Sequence, residues 1–256
     1  MLPMQLFLFT DHQGWTPTCD TLPGGAHAGD TGHFDFIELG TNDFDTLIQL
    51  ARPCTRGISI DAMQFYLDRL PNRPLVRKLN LAIGTKATPM QTHLDFYYIK
   101  PASIKQYNLT KLRGSARVGK PDPWQASVLQ ERGLSHLLVH DRVPARSLRE
   151  LLEQEGVRSV GYFKIDLNGI EPPILRALHA ACEAQPALWP QRLAYEQGCM
   201  GRSVNKKELI RMFREHGYEP ELKPAHVLKP GHSKRYSHLT FDMVMSRKVP
   251  RARNAI

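Results

Sequence analysis

Four short apolar runs each end at an acidic residue beside a turn or a helix signal, and this repetition constrains the fold more than any other feature of the chain. The runs are HFDFIEL with Glu38 before Gly40, RGISID closing on Asp61, VGYFKI leading into Asp166, and RLAYE closing on Glu196. A further strand is predicted over 75–83 and a last alternating run over 238–246. Between them, helix-like segments fall at 44–51, 63–70, 144–155, 174–182 and 205–216. The 144–155 segment has Pro144 at its start, a stripe of Leu148, Leu151 and Leu152, and Gly156 after it. The 205–216 segment opens with a capping box from Asn205 to Glu208 and closes at Gly217. The order is therefore β-α-β-α-β, an aperiodic stretch over 85–140, then α-β-α-β-α-β. Such alternation predicts a mostly parallel sheet with helices on both faces. Ligands of such sheets sit beyond the carboxyl ends of the strands, which is where Glu38, Asp61, Asp166 and Glu196 fall.

Composition removes other classes. With 256 residues, 41% hydrophobic and 23% charged, the chain has the makings of a packed core and is neither disordered nor a coiled coil. No stretch approaches the ~18 apolar residues of a membrane span. The opening MLPMQLFLF lacks a basic leader region and a cleavage site, so no signal peptide is predicted. Cys19, Cys54, Cys182 and Cys199 form no CxxC pair, and scattered thiols suit a reducing, cytoplasmic setting. We read residues 1–256 as one domain, with an irregular N-terminal segment over 1–33, an inserted segment over 85–140 and a basic tail over 248–256.

The net charge of +9 is local. Residues 97–120 hold six basic side chains and no acid, and residues 204–256 hold 12 basic and five acidic ones, so the rest of the chain is net negative. An anionic partner such as nucleic acid is one reading. A solvated surface with a basic tail is the simpler one, because no aromatic-interleaved RNA-binding motif accompanies the charge.

The strand-end motifs carry the chemistry. After the first strand stands Glu38-Leu-Gly40-Thr41-Asn42-Asp43. Its glycine permits close backbone approach, and its acids suit a cationic cofactor better than a pyrophosphate, which would need the missing GxGxxG. Asp61 follows Gly40 by 21 residues, a spacing that suits an acid accepting bonds from ribose hydroxyls. In Lys164-Ile-Asp166-Leu-Asn168-Gly169-Ile-Glu171, Asp166 is a candidate base, metal ligand or holder of a cofactor amine, and Glu171 reads as a helix cap. Glu196 is placed to bind substrate hydroxyls or to share a hard cation with Asp166 and Asn168, although no metal is expected. His216, His226, His232 and His238 lack zinc spacing and read as surface residues. His140 reads as a loop histidine or a base.

Together these segments resemble the FkbM family of S-adenosylmethionine-dependent methyltransferases over about residues 34–248. The sharpest element is FKIDLNGIEPPIL, similar to the family's Lys-Ile-Asp-x-x-Gly-x-Glu stretch and its apolar helix. VPARSLRELLEQEGV, FIELGTND, SIDA, LNLAIG, and the pair HGYEPEL and FDMVMSRK match its other parts. DFYYIKPASIKQYNL and KPDPWQASVLQERG resemble the inserted segment of a subgroup. The resemblance implies a Rossmann-like class I methyltransferase sheet of seven strands, mostly parallel with the last antiparallel. It also implies S-adenosylmethionine as cofactor and methyl transfer to a hydroxyl of a glycan or natural product. On this resemblance Glu38, Gly40, Thr41, Asn42 and Asp43 surround the methionine part, Asp61 with Ala62 takes the ribose, Asn80 and Ala82 lie near the adenine, and Asp166 faces the reacting methyl. Two positions depart from the family pattern: Phe44 stands near a usual second glycine, and Asn168 stands where an acid is usual.

Asp166 is the first candidate for the base that deprotonates the acceptor, and Glu196 the second. The 85–140 segment is expected to cover the pocket, with Tyr97, Tyr98, Trp124 and His140 on the acceptor side. The competing functional readings are an RNA methyltransferase, a nicotinamide-dependent oxidoreductase, and a non-catalytic binding module whose cofactor loop is altered at Phe44.

Overall fold

The computed structural model describes residues 15, 31–41, 46–85, 92–112, 114–197, 200–201, 204–221 and 242–248. Asn42, Asp43, Phe44, Cys19, Cys199, His226, His232, His238 and nearly all of the N-terminal segment and basic tail lie outside them.

A mixed, mostly parallel seven-stranded sheet forms the centre. Its strands are β1 (His33–Leu39), β2 (Gly57–Asp61), β3 (Val76–Asn80), β8 (Ser159–Ile165), β9 (Arg192–Glu196), β10 (Tyr218–Pro220) and β11 (Asp242–Arg247). They lie in the order β10-β11-β9-β8-β1-β2-β3. β11 runs antiparallel to both β9 and β10, while the other pairings are parallel. This arrangement carries Leu39, Asp61 and Ile165 to one edge, and Asp166 and Glu196 follow there.

Side-chain alternation divides the apolar residues between two faces. Ile37, Leu39, Ile60, Phe163, Ile165 and Leu193 pack with Leu151 and Leu152 of α5 (Leu148–Gln154), Ile174, Leu175 and Leu178 of α6 (Glu171–Ala184), and Leu209 and Phe213 of α7 (Lys206–Arg214). On the other face Phe36, Tyr162, Ala194 and Val244 meet Leu47 and Ile48 of α1 (Leu47–Leu50) and Leu67 of α2 (Gln64–Leu67). Trp15 sets its ring edge-on against Phe36 and Tyr162, at 5.9 and 5.5 Å.

The inserted segment has its own sheet. β4 (Ala82–Gly84), β5 (His93–Ile99), β6 (Arg117–Val118) and β7 (Leu138–Ser147) lie in the order β4-β7-β5-β6. α3 (Pro101–Gln106) and α4 (Pro123–Glu131) connect them. The strand expected over 75–83 is therefore two strands in two sheets, parted at Leu81. The helix expected from 144 begins at Leu148, because residues 138–144 pair with β5 and residues 145–147 with β4. Ser147 is the true cap: it accepts from the Glu150 backbone N–H, and the Glu150 carboxylate answers the Ser147 N–H. α6 starts three residues earlier than the periodicity suggested, since Pro172 and Pro173 occupy a first turn that needs no amide donors. α1 and α2 are shorter than expected, and the described part of the last strand begins at 242.

Cys54 is disulfide-bonded, which corrects the reading of all four cysteines as thiols; its partner lies outside the described residues. Cys182 is a free, buried thiol whose pKa burial pushes up to about 12. No helix among the described residues is long and apolar enough to cross a membrane.

One ionic pair sits inside the seven-stranded sheet. Glu38 and Lys164 are register partners on β1 and β8, with Nζ 3.2 Å from Oε1, and both are buried. Glu38 also accepts from the Leu47 backbone N–H at 3.1 Å and from the Ser59 hydroxyl at 3.4 Å. Lys164→Met strands the carboxylate and should cost about 3–5 kcal/mol of unfolding free energy by urea titration. Adding Glu38→Gln to that variant should recover part of the loss.

Candidate functional site

A cleft opens where the carboxyl edge of the large sheet meets the second sheet. Gly40, Asp61, Ala62, Asp166, Leu167 and Asn168 form one wall. Leu81, Ala82 and Ile83 form the floor between the sheets, and Phe96, Ala116 and Val118 of the insertion face them. Three residues of the insertion thus line the cleft. The described lining is mostly apolar, and its charged members are both acids, Asp61 and Asp166.

Gly40 holds the first turn. Its φ is +80°, and a Cβ there would lie 1.8 Å from the Asp166 carbonyl oxygen. The close approach that requires glycine is therefore to the chain itself, at the point where β1 and β8 deliver their ends. The Gly40 N–H donates to the Ile60 carbonyl and the Asp166 N–H to that of Leu39, so three strand ends are tied together.

Asp61 organises the rim. Its Oδ2 accepts from the Thr41 backbone N–H at 2.9 Å and the Thr41 hydroxyl at 3.1 Å, and its Oδ1 accepts from the Met63 N–H at 2.8 Å. Both turns that flank the carboxylate are thereby fixed. Asn80, the register partner of Asp61 on β3, donates to the carbonyls of Asp61 and Ala62 at 3.1 and 2.8 Å. It shapes the turn from behind, while Ala82 lines the cleft. Glu38 is wholly buried and is not part of the lining; it accepts from the first amide of α1 at Leu47.

Asp166, Glu171 and Glu196 bring carboxylate oxygens within 4.8 Å of one another. Sequence reading saw Glu171 only as a helix cap. It stands at the first position of α6, fully buried, and accepts from the N–H groups of Leu167 at 2.8 Å and Gly169 at 2.9 Å. Burial raises its pKa first, the charge of Asp166 adds to this, and the backbone donors oppose it. Its signal was Pro172-Pro173, which makes the preceding glutamate a first-turn residue aimed back at its own loop. The acids form an oxygen set of the kind a hard divalent cation takes, and equally a carboxylate group able to accept a proton. Asn168 does not join them: it adopts φ +55°, and its amide donates to the Gly114 carbonyl at 3.0 Å, joining the acid loop to the insertion.

The acceptor-side candidates are not brought to the cleft lining. Tyr97 stacks on His140 at 4.7 Å, and His140 meets Asp95 at 2.9 Å. Tyr98 is buried and donates to Asp141 at 2.5 Å; burial, then that bond, pushes its pKa up to about 12. Trp124 is 52% exposed in the first turn of α4. Strand alternation explains the failure at Tyr97, because Phe96 takes the inward position. Met63, Tyr66, Phe96, Ala116 and Val118 are lining residues that the sequence did not single out.

Compared with family models, curated proteins and solved structures, the chain gives no match.

Gly40→Ala should lower unfolding free energy by on the order of 4 kcal/mol, read by denaturant titration, because the new Cβ meets backbone. Glu171 binds its proton more tightly folded than unfolded. Its ionisation therefore destabilises the native state as pH rises from about 4.3 through the raised native value. Relative to Glu171→Gln, the wild-type chain should lose stability across that interval, and parallel pH slopes for the two proteins would show that Glu171 is not the titrating group.

Proposed function

We propose that the protein is an S-adenosylmethionine-dependent O-methyltransferase acting on a hydroxyl of a glycan or natural product. The observation that carries this reading is the chemistry of the cleft: an apolar floor and cover, acids at the rim, and no basic side chain among its described lining residues. A pyrophosphate or an RNA backbone would call for cations or a glycine-rich amide cradle. A cofactor with a sulfonium and an ammonium suits carboxylates. The mostly parallel sheet with an antiparallel β11 agrees with the sheet that the FkbM resemblance implies.

The residues present fit such a cofactor. Asp61, braced by Thr41 and Met63, stands at the rim where ribose hydroxyls would be taken, and Ala82 and Ile83 with Phe96 offer apolar surface for a flat base. S-adenosylmethionine supplies a methyl group already activated on sulfur. The chain's work is then alignment, since orientation of reactants provides much of the acceleration in such transfers. Asp166, lining the cleft, takes the proton of the acceptor hydroxyl, a contribution of roughly 10²–10⁴-fold. Glu196 is the second candidate for that proton. Burial raises the Glu171 pKa, which favours its protonated form beside the other acids.

Calorimetric titration with S-adenosylhomocysteine tests the reading. The expected result is micromolar binding, about −8 kcal/mol, that is lost in Asp61→Ala and weakened in Asp61→Asn. Absence of binding by folded protein would favour the non-catalytic module instead.

A further inference from the structure

We infer that His179, Glu183 and His216 form a site for one divalent transition-metal ion, Zn²⁺ by ligand type, that fastens α6 to the end of α7. The inference is independent of the proposed methyltransferase activity. One donor atom from each of the three residues lies within 4.8 Å of the other two. His179 and Glu183 are four apart on α6, so they face the same way from adjacent turns. His216 follows the C-terminal end of α7, with Nε2 3.4 Å from Glu183 Oε1 and its ring centroid 5.0 Å from that of His179. Two imidazoles and a carboxylate are the ligand types of a three-residue zinc site, with a fourth position left to water.

The surroundings prepare both rings for this role. The Met212 backbone of α7 lies beside the His179 ring, so the ring sits at the contact between the two helices. His216 lies flat on Trp189 at 4.2 Å and 22°, so its plane is fixed. Donors bound to one zinc stand ~3.3 Å apart. Glu183 Oε1 is already 3.4 Å from His216 Nε2, and its side chain is 53% exposed. Arg247 opposes the ion: its guanidinium lies 5.8 Å from the Trp189 ring centroid, and its Nε donates to the His216 carbonyl. His179 is eight residues along α6 from Glu171, roughly 12 Å of helix, so the site is separate from the acids of the cleft.

His216, His226, His232 and His238 carry no zinc spacing among themselves. The relevant pattern is His-x₃-Glu on one helix plus a distant histidine.

The test is equilibrium dialysis of chelator-stripped, full-length protein against Zn²⁺, with metal counted by mass spectrometry and thermal unfolding followed in parallel. Visible absorption of the Co²⁺ form reads the ligand geometry. One equivalent of Zn²⁺ is expected, raising Tm by roughly 5–10 °C at a hundredfold excess over Kd. His179→Ala, His216→Ala and Glu183→Gln should each weaken uptake at least ~10-fold. Asp166→Asn should leave it unchanged. Glu183→Gln changes an exposed side chain and keeps the comparison valid where a histidine variant fails to fold. No uptake, uptake unaltered in Glu183→Gln or in a folded histidine variant, or uptake lost in Asp166→Asn would overturn the inference.

Discussion

The buried pair of Glu38 and Lys164 is the constraint on which the functional edge depends. Two charges inside a sheet carry a desolvation cost, which is offset only when both are well paired and hydrogen-bonded. Here the pair crosses from β1 to β8 at the sheet centre, and Glu38 reaches on to Ser59 of β2 and to the first amide of α1. One carboxylate thereby ties three strands to the loop that leaves β1. A residue that the sequence marks as a site acid thus works beneath the site.

The cleft is a product of two sheets. The large sheet supplies the acids, because its parallel strands end together and each is followed by a polar turn. The smaller sheet supplies the apolar cover. Neither alone makes a pocket: Asp61 and Asp166 would face open solvent without Phe96, Ala116 and Val118. The Asn168–Gly114 hydrogen bond joins the two parts at the acid loop itself.

Much of the sheet was legible from local pattern, since apolar runs of five to seven residues punctuated by acids and glycines report their own ends. The acids at the edge were legible for the same reason. The split at Leu81 was not, because LNLAIG reads as one apolar run and only pairing partners divide it between β3 and β4. The end of residues 138–147 reads as helix, because a leucine stripe and Pro144 mimic a helix start while β5 and then β4 claim the backbone. Glu171 was seen as a cap because its membership of the acid group depends on how α6 and β9 meet. His179 was passed over altogether: one histidine on a helix carries no signal until a second helix brings His216 beside it.

The single residue between β3 and β4 has a mechanical meaning. At Leu81 the chain leaves one hydrogen-bond ladder and enters another, so the smaller sheet is attached to the larger by a short pivot along its first strand. β6, the far strand, lies three strand spacings away, a lever arm of about 14 Å. A rotation of about 10° at such a pivot displaces that far edge by ~2.5 Å, several times the tolerance of a hydrogen bond. Gly114 stands just before β6, so the bond from Asn168 acts at the long end of the lever, where one weak interaction has its greatest leverage over the width of the cleft.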